Sequence, residues 1–255
     1  MINHRLLTFA ALTTLALSPA LAGCSSAKDS GAPSPSADTS TTATPAVSAK
    51  PTSPSTKPAA GKTRTKAELK KALLTLGDMP SGFSIEPEEA DGGGDVRASS
   101  TKSACARLVA LTNADNPPGS KASAHESFSG GLQGPFIDEG LDAMGSAKAV
   151  ATLQQNFRNA IKACRSMKLT IPGEGSSTVS VRLVSAPQAG TSPVAVRFTA
   201  TSGPFEGLEV TMVTTGVDDV VVSLTIVAGV PEDVDGATEA AVGKAREVLG
   251  AKSGT

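Results

Sequence analysis

Neither tryptophan nor tyrosine occurs in this chain, and phenylalanine occurs only seven times in 255 residues. Surfaces that hold sugars or nucleic acid bases commonly do so on aromatic platforms. A polysaccharide-binding module is therefore disfavoured, the more so because most of the phenylalanines stand at core-type positions. Histidine is scarcer still, with His4 in the leader and His125 alone beyond it. One imidazole and a bridged cysteine pair are too few ligands for a histidine-based metal centre. Basic charge is not concentrated either: 23 Lys and Arg stand against 24 Asp and Glu, without the clustered footprint that nucleic acid requires. There is no Gly-x-Ser-x-Gly elbow. The glycine-rich stretches 92–94 and 130–134 lack the Lys-Ser/Thr ending of a phosphate loop and read as turns. Asp138/Glu139 and Asp218/Asp219 are adjacent in sequence, so each pair diverges on a strand or marks a turn, a poor arrangement for glycosidase carboxylates. Asp233-Val234-Asp235-Gly236 is a fragment of a calcium loop and is accounted for by acidic residues at a helix start. No cofactor and no metal is implied.

Long apolar runs are missing too. Leu6 to Leu17 has the size of a signal-peptide core and falls well short of the roughly 18 residues of a spanning helix. It follows Arg5 and runs into Leu21-Ala22-Gly23-Cys24, which resembles the lipobox at which bacterial lipoprotein precursors are cut. Residues 1–23 are thus expected to be a lipoprotein signal peptide. Cys24 would carry a diacylglycerol on sulfur and a further acyl chain, such as palmitate, on its amine. Several acyl chains hold a protein stably to a bilayer, where one does not. The expected location is the outer face of the cell membrane, with the membrane itself a partner through the lipid.

Residues 24–64 follow as a linker of Ser, Thr, Pro, Ala and Lys in which Val47 is the only large aliphatic side chain. Such a segment cannot bury enough surface to offset its ordering entropy and is expected to be disordered. Pro33, Pro35, Pro45, Pro51, Pro54 and Pro58 stiffen it towards an extended form. The Ser and Thr beside Pro resemble O-glycosylated stalks.

Residues 65–250 have the size of one domain, with 251–255 as a tail. Thr65 and Glu68 form a capping box, and Leu69, Leu73 and Leu76 predict a helix ending at Gly77. Phe83 and Ile85 suggest a brief strand, and helix resumes over 101–111. Residues 122–144 read as a hairpin with a wide glycine-rich connection. Ser146 caps the strongest helical stripe in the chain, Val150, Leu153, Phe157, Ile161, Cys164 and Met167, opposite a watery face that includes Arg158. Four alternating strands follow, around 179–183, 194–198, 208–212 and 220–227, and then a helix opening at Pro231. The expected fold is α+β, an antiparallel sheet built on a C-terminal four-strand meander with the helices packed on one face.

With Cys24 consumed by lipid, Cys105 and Cys164 remain as an even pair on the apolar stripes of two helices. In an oxidising compartment they are expected to form a buried disulfide, worth about 4 kcal/mol by loop entropy. The second face of the meander would gather Arg182, Arg197, Glu209, Thr211, Ser223 and Thr225. Arg182 and Arg197 are its candidate ligand-binding charges, against the plainer alternative of the wet side of a half-exposed sheet.

Leu73-Leu74-Thr75-Leu76-Gly77-Asp78-Met79-Pro80-Ser81-Gly82-Phe83, then Cys105, Gly134-Pro135-Phe136 before a strand, a helix ending near Cys164, the meander and the final helix together resemble the PknH-like extracellular sensor domain. That domain caps mycobacterial transmembrane Ser/Thr kinases and is similar to domains of many actinobacterial lipoproteins. The resemblance implies a non-catalytic extracellular domain that senses or binds a ligand around a cleft. This chain has one cysteine pair where the kinase ectodomain has two, and it shows no kinase motif. Two functional classes follow: a sensor-like or solute-binding lipoprotein presenting a small molecule or lipid to a membrane partner, or an envelope interaction and scaffolding lipoprotein without a small-molecule pocket. An envelope hydrolase built on His125 is a distant third.

Overall fold

The computed structural model describes residues 64–86 and 96–250. The leader, Cys24, the linker up to residue 63, the glycines at 92–94 and the tail 251–255 lie outside the described residues. Within them, four α-helices and nine strands run in the order α1 (Lys66–Ala72), β1 (Ser84–Ile85), β2 (Arg97–Ser99), α2 (Ala106–Thr112), β3 (Ala122–Ser129), β4 (Phe136–Ala143), α3 (Ala147–Ala163), β5 (Ser166–Ile171), β6 (Gly175–Val184), β7 (Thr191–Ser202), β8 (Glu209–Val217), β9 (Val220–Val227) and α4 (Pro231–Gly250). All strands join one antiparallel sheet of order β1-β3-β4-β9-β8-β7-β6-β5-β2.

The expected four-strand meander is thus only part of the sheet. The four strands are present as β6 to β9, but β5 extends them on one side, and β9 takes the β3–β4 hairpin on the other, with Leu141 opposite Val222 and Glu139 opposite Leu224. Nor do the helices share a face. Period-2 alternation puts Val213, Val222, Leu224, Ile226, Ile137, Leu141 and Phe128 on one side, where α1 and α4 cover the β3-β4-β9-β8 half. Val179, Val181, Val194, Val196 and Phe198 point to the other side, where α3 and α2 cover the β8-to-β5 half. Strands β6 and β7 carry their long aliphatic and aromatic side chains on the face opposite to the one that β9 fills. A single helical layer could not dry both sets.

Two helix ends differ from expectation for local reasons. Met167 belongs to no helix: α3 stops at Ala163, and Cys164 turns the chain to φ −107° and ψ 125°. Ser166 then pairs with Ser180, and Met167, opposite Val179, is buried in the sheet. Helix α1 stops at Ala72, with Leu73 already extended at ψ 153°. The next amide, Leu74 N–H, donates to Glu139 Oε2 at 2.7 Å, and Thr75 starts a separately capped turn whose Asp78 carboxylate accepts its N–H at 2.8 Å. Leu76 is accordingly exposed. Arg158, expected in water, is half-buried and donates to the Pro193 carbonyl at 2.9 Å. The Cys105–Cys164 disulfide is formed, with the Cα atoms 4.6 Å apart, and ties the turn that leads into α2 to the end of α3.

Glu139 is a carboxyl buried in this layer, whose other buried polar side chains include Thr215 and Thr238. It is 1 % exposed, and its Oε1 has no hydrogen-bond partner among the described residues. Burial pushes its carboxyl from 4.5 up to about 7, against the opposing pull of the Leu74 amide and of Lys244 on α4, while Asp78 and Glu126 reinforce the rise. Because the folded state holds this proton more tightly than the unfolded chain, the contribution is fully present below the unfolded value and is lost as pH rises through about 7. Between about pH 5 and about pH 8 the group should remove roughly 2–3 kcal/mol of stability. Glu139→Gln is expected to flatten that slope, as measured by denaturant unfolding across the same range.

Candidate functional site

The offset of the two helical layers leaves half of each sheet face without a helix. On the face carrying α3, the part without a helix is the floor made by β3, β4 and β9, bordered by β8 at the edge of α3. Antiparallel register lays it out in rows: Ser123, Asp142, Val221 and Gly216; then His125, Gly140, Ser223 and Thr214; then Ser127, Asp138, Thr225 and Met212. Neighbouring strands are about 4.8 Å apart, so polar side chains from four strands converge on one floor.

A roof crosses it. After α2, residues 113–120 span from the far edge of the sheet to β3. Asn113 holds their start by bonding both backbone groups of Ala98 in β2, accepting its N–H at 2.7 Å and donating to its carbonyl at 2.8 Å. Their end is held where Lys121 N–H meets the Ala143 carbonyl at 2.8 Å. Between these points His125 Nε2 donates to Asn116 Oδ1 at 3.3 Å, and the Ser120 hydroxyl donates to Asp142 Oδ1 at 3.0 Å.

Beneath the roof lies a cavity of about 260 Å³. Its hydrocarbon wall is Leu111, Leu153, Phe157, Met212 and Val221, and its polar wall includes His125, Asp142, Thr214, Ser223 and Thr225. A more open groove of about 500 Å³ continues outward past Asp115, Pro117 and His125 towards Lys66 and Lys121. Asp142 is 1 % exposed. Burial raises its carboxyl pKa, against the hydroxyls of Ser123 and Ser120 and the nearby His125.

His125 spends its one side-chain hydrogen bond on Asn116, and the Ser223 hydroxyl donates to the Gly140 carbonyl at 3.2 Å. No serine–histidine hydrogen bond is formed among the described residues. Asp138 and Glu139 diverge as strand neighbours must: Asp138 is exposed on the cavity face beside Ser127, and Glu139 is buried on the other.

The sequence-level candidates fall elsewhere. Arg182 and Arg197 stand opposite one another on β6 and β7, on the far face of the sheet from the cavity. Arg182 is exposed. Arg197 Nη1 lies 3.6 Å from Glu209 Oε2, and its Nε donates to Thr211 Oγ1 at 3.3 Å. It lines a groove of about 600 Å³ that also holds Asp235 and Glu239. Ser223 and Thr225 do not join the two arginines. Thr211 pairs with Ile226 and Met212 with Thr225, so the two residues of β9 face the cavity side. Cys24 lies outside the described residues. Asp142, Ser123, Gly140 and Thr214 were not singled out from the sequence. The available signal was Gly140, a glycine inside an otherwise regular strand, which marks a close approach. A Cβ there would come within 2.6 Å of Ser223 Oγ and 3.1 Å of His125 Nδ1. Gly140→Ala should therefore displace both side chains and lower stability by about 1–2 kcal/mol, checked by denaturant unfolding together with the His125 ring resonances.

No family model and no curated protein sequence matches the chain. Among solved structures it is similar to the extracellular domain of PknH from Mycobacterium tuberculosis, with a TM-score of 0.54 and 17 % identity over 74 % of this chain and 98 % of that one. It is also matched to the Rv0999 ortholog of Mycobacterium smegmatis, with a TM-score of 0.41 and 14 % identity over 74 % of this chain and 100 % of the other. The architecture built by residues 64–86 and 96–250 thus has the fold of the PknH extracellular domain.

Proposed function

We propose that this chain is a non-catalytic, sensor-like binding domain on the outer face of a cell membrane, anchored by lipid at Cys24, whose small-molecule ligand occupies the cavity beneath residues 113–120. The observation that carries the reading is the cavity itself. It joins one hydrocarbon wall to a floor of convergent polar groups on rigid strands, the combination expected of a ligand pocket. Support for the compartment comes from the formed disulfide, a bond that persists in oxidising surroundings, and from the fold shared with an extracellular domain. No helix among the described residues is long and apolar enough to cross a membrane. A scaffolding lipoprotein, the other class, has no use for a roofed cavity in whose floor the Thr214 hydroxyl is left without a partner among the described residues.

Two measurements test this. Cys24→Ser should abolish acylation and move the protein from the membrane to the soluble fraction; retention of the unacylated, uncut protein in the particulate fraction would refute the anchor. Thermal-shift screening of the full chain against envelope lipids and small metabolites should yield stabilising compounds whose effect disappears in Thr225→Trp. Thr225 is a half-exposed residue of the cavity floor, so filling it should leave the unliganded melting temperature within about 2 °C of wild type. Hits indifferent to Thr225→Trp would refute the site.

A further inference from the structure

The lining of the cavity has a sign. Of the residues around it, Asp115 and Asp142 are acidic, and none is lysine or arginine. Basic side chains stand outside it: Lys66 and Lys121 line the outer groove, and Arg107 and Lys148 line a neighbouring one that shares Leu111 and Leu153 with the cavity. Along the floor, Asp138 adds a third carboxylate on the same sheet face, with its Oδ1 accepting the Ser127 hydroxyl at 2.6 Å.

Asp142 is not satisfied by the protein. Both hydroxyl donors that reach it, Ser120 and Ser123, end on the same oxygen, Oδ1. Oδ2 makes no hydrogen bond among the described residues, although the residue is 99 % buried and lines the cavity. A buried carboxylate with one open oxygen is among the most unfavourable groups a fold can retain, because its desolvation is only partly offset. Two strands away on the same floor, Thr214 Oγ1 is buried with no partner among the described residues. Ser223 lies between the strands of these two residues, opposite Thr214, and its hydroxyl oxygen remains able to accept because its proton is given to Gly140. The floor therefore presents two acceptors, Asp142 Oδ2 and the Ser223 oxygen, and in Thr214 a hydroxyl able to accept or donate, beside a wall of Leu111, Leu153, Phe157, Met212 and Val221 that awaits hydrocarbon.

We infer that the ligand is a small amphipathic cation, a protonated amine carried on a compact apolar body, whose N–H groups donate to Asp142 Oδ2 and the neighbouring hydroxyl oxygens while the body packs against the hydrocarbon wall. This inference rests on the proposed cavity site and adds its chemical class. An ammonium supplies the charge-assisted hydrogen bonds that Asp142 lacks. A carboxylate or phosphate of the same shape would meet the buried charge of Asp142, with the exposed Asp115 at the rim, and be rejected. A neutral alcohol would gain the apolar contacts and one hydrogen bond but leave the charge of Asp142 uncompensated.

The test uses the full chain, labelled with ¹⁵N, titrated with n-hexylammonium and with 1-hexanol and hexanoate as probes of matched length. Hexylammonium should shift the amides of Asp142, Thr214 and Ser223 saturably and bind about tenfold more tightly than 1-hexanol, while hexanoate should not saturate. Asp142→Asn should lower the hexylammonium affinity to about that of the alcohol, roughly tenfold, with 1-hexanol unchanged. If Asp142→Asn does not fold, Thr214→Val takes its place and should weaken the amine severalfold without weakening the alcohol. Hexanoate binding as tightly as hexylammonium, amine affinity unchanged in the folded variant, or no saturation by the amine at these amides would each overturn the proposal. The two readings separate cleanly: hexanol or hexanoate binding that is lost in Thr225→Trp keeps the cavity as the site and removes only its preference for a cation.

Discussion

The structure depends on a constraint of strand geometry. Each residue of a strand can feed only one face, and here the two faces are filled at opposite ends of one sheet. Strand β8 is where the layers overlap, with Val213 turned to the core under α4 and Met212 to the side of α3. To its one side β9, β4 and β3 send their aliphatic residues down; to the other β7, β6 and β5 send theirs up. Both layers are therefore thin, and each leaves a wet half across from the other's dry half. The cavity occupies one of those halves, on strands held rigid by the core beneath them. The arginine-bearing surface occupies the other.

The polar inclusions in the lower layer belong to the same scheme. Helix α1 is too short to cover β3 and β4 alone, and the segment after it folds back as a turn whose Asp78 is paired with Lys244 of α4 and held below the usual carboxylate range by that contact. Glu139 takes up the amide that this reversal leaves without a helical partner. The arrangement closes the layer over the hairpin that forms the cavity floor, at the expense of a carboxyl retained in apolar surroundings. Loss of Glu139's partner would therefore be felt on both sides of the sheet.

Much of the architecture was legible in the sequence. The stripe on α3, the alternation in β6 to β9, the hairpin at 122–144, the cap at Thr65 and the cysteine pair each follow from local periodicity or counting, and each is present in the fold. Two kinds of feature were not legible. The first is which face of one strand lies with which face of the next, a matter of register: Thr211 and Thr225 look equivalent in the sequence and lie on opposite sides of the sheet. The second is the site. Asp142, Ser123 and Thr214 are ordinary strand residues one at a time, and they become a floor only when β4 pairs with β9 across 80 residues of chain. The arginines were conspicuous for their charge, yet Arg197 is occupied by Glu209 and Thr211.

The pair of hydrogen bonds between Asn113 and Ala98 bears on how a molecule would enter the cavity. Because that side chain fastens one abutment of the span to the outermost strand, while Lys121 fastens the other to Ala143, the crossing chain is a bridge pinned at both banks and not a flap on one hinge. A ligand of the proposed kind would pass under it, sideways along the groove beside Asp115 and Pro117. Selection would then rest on the width of that underpass as well as on what waits inside.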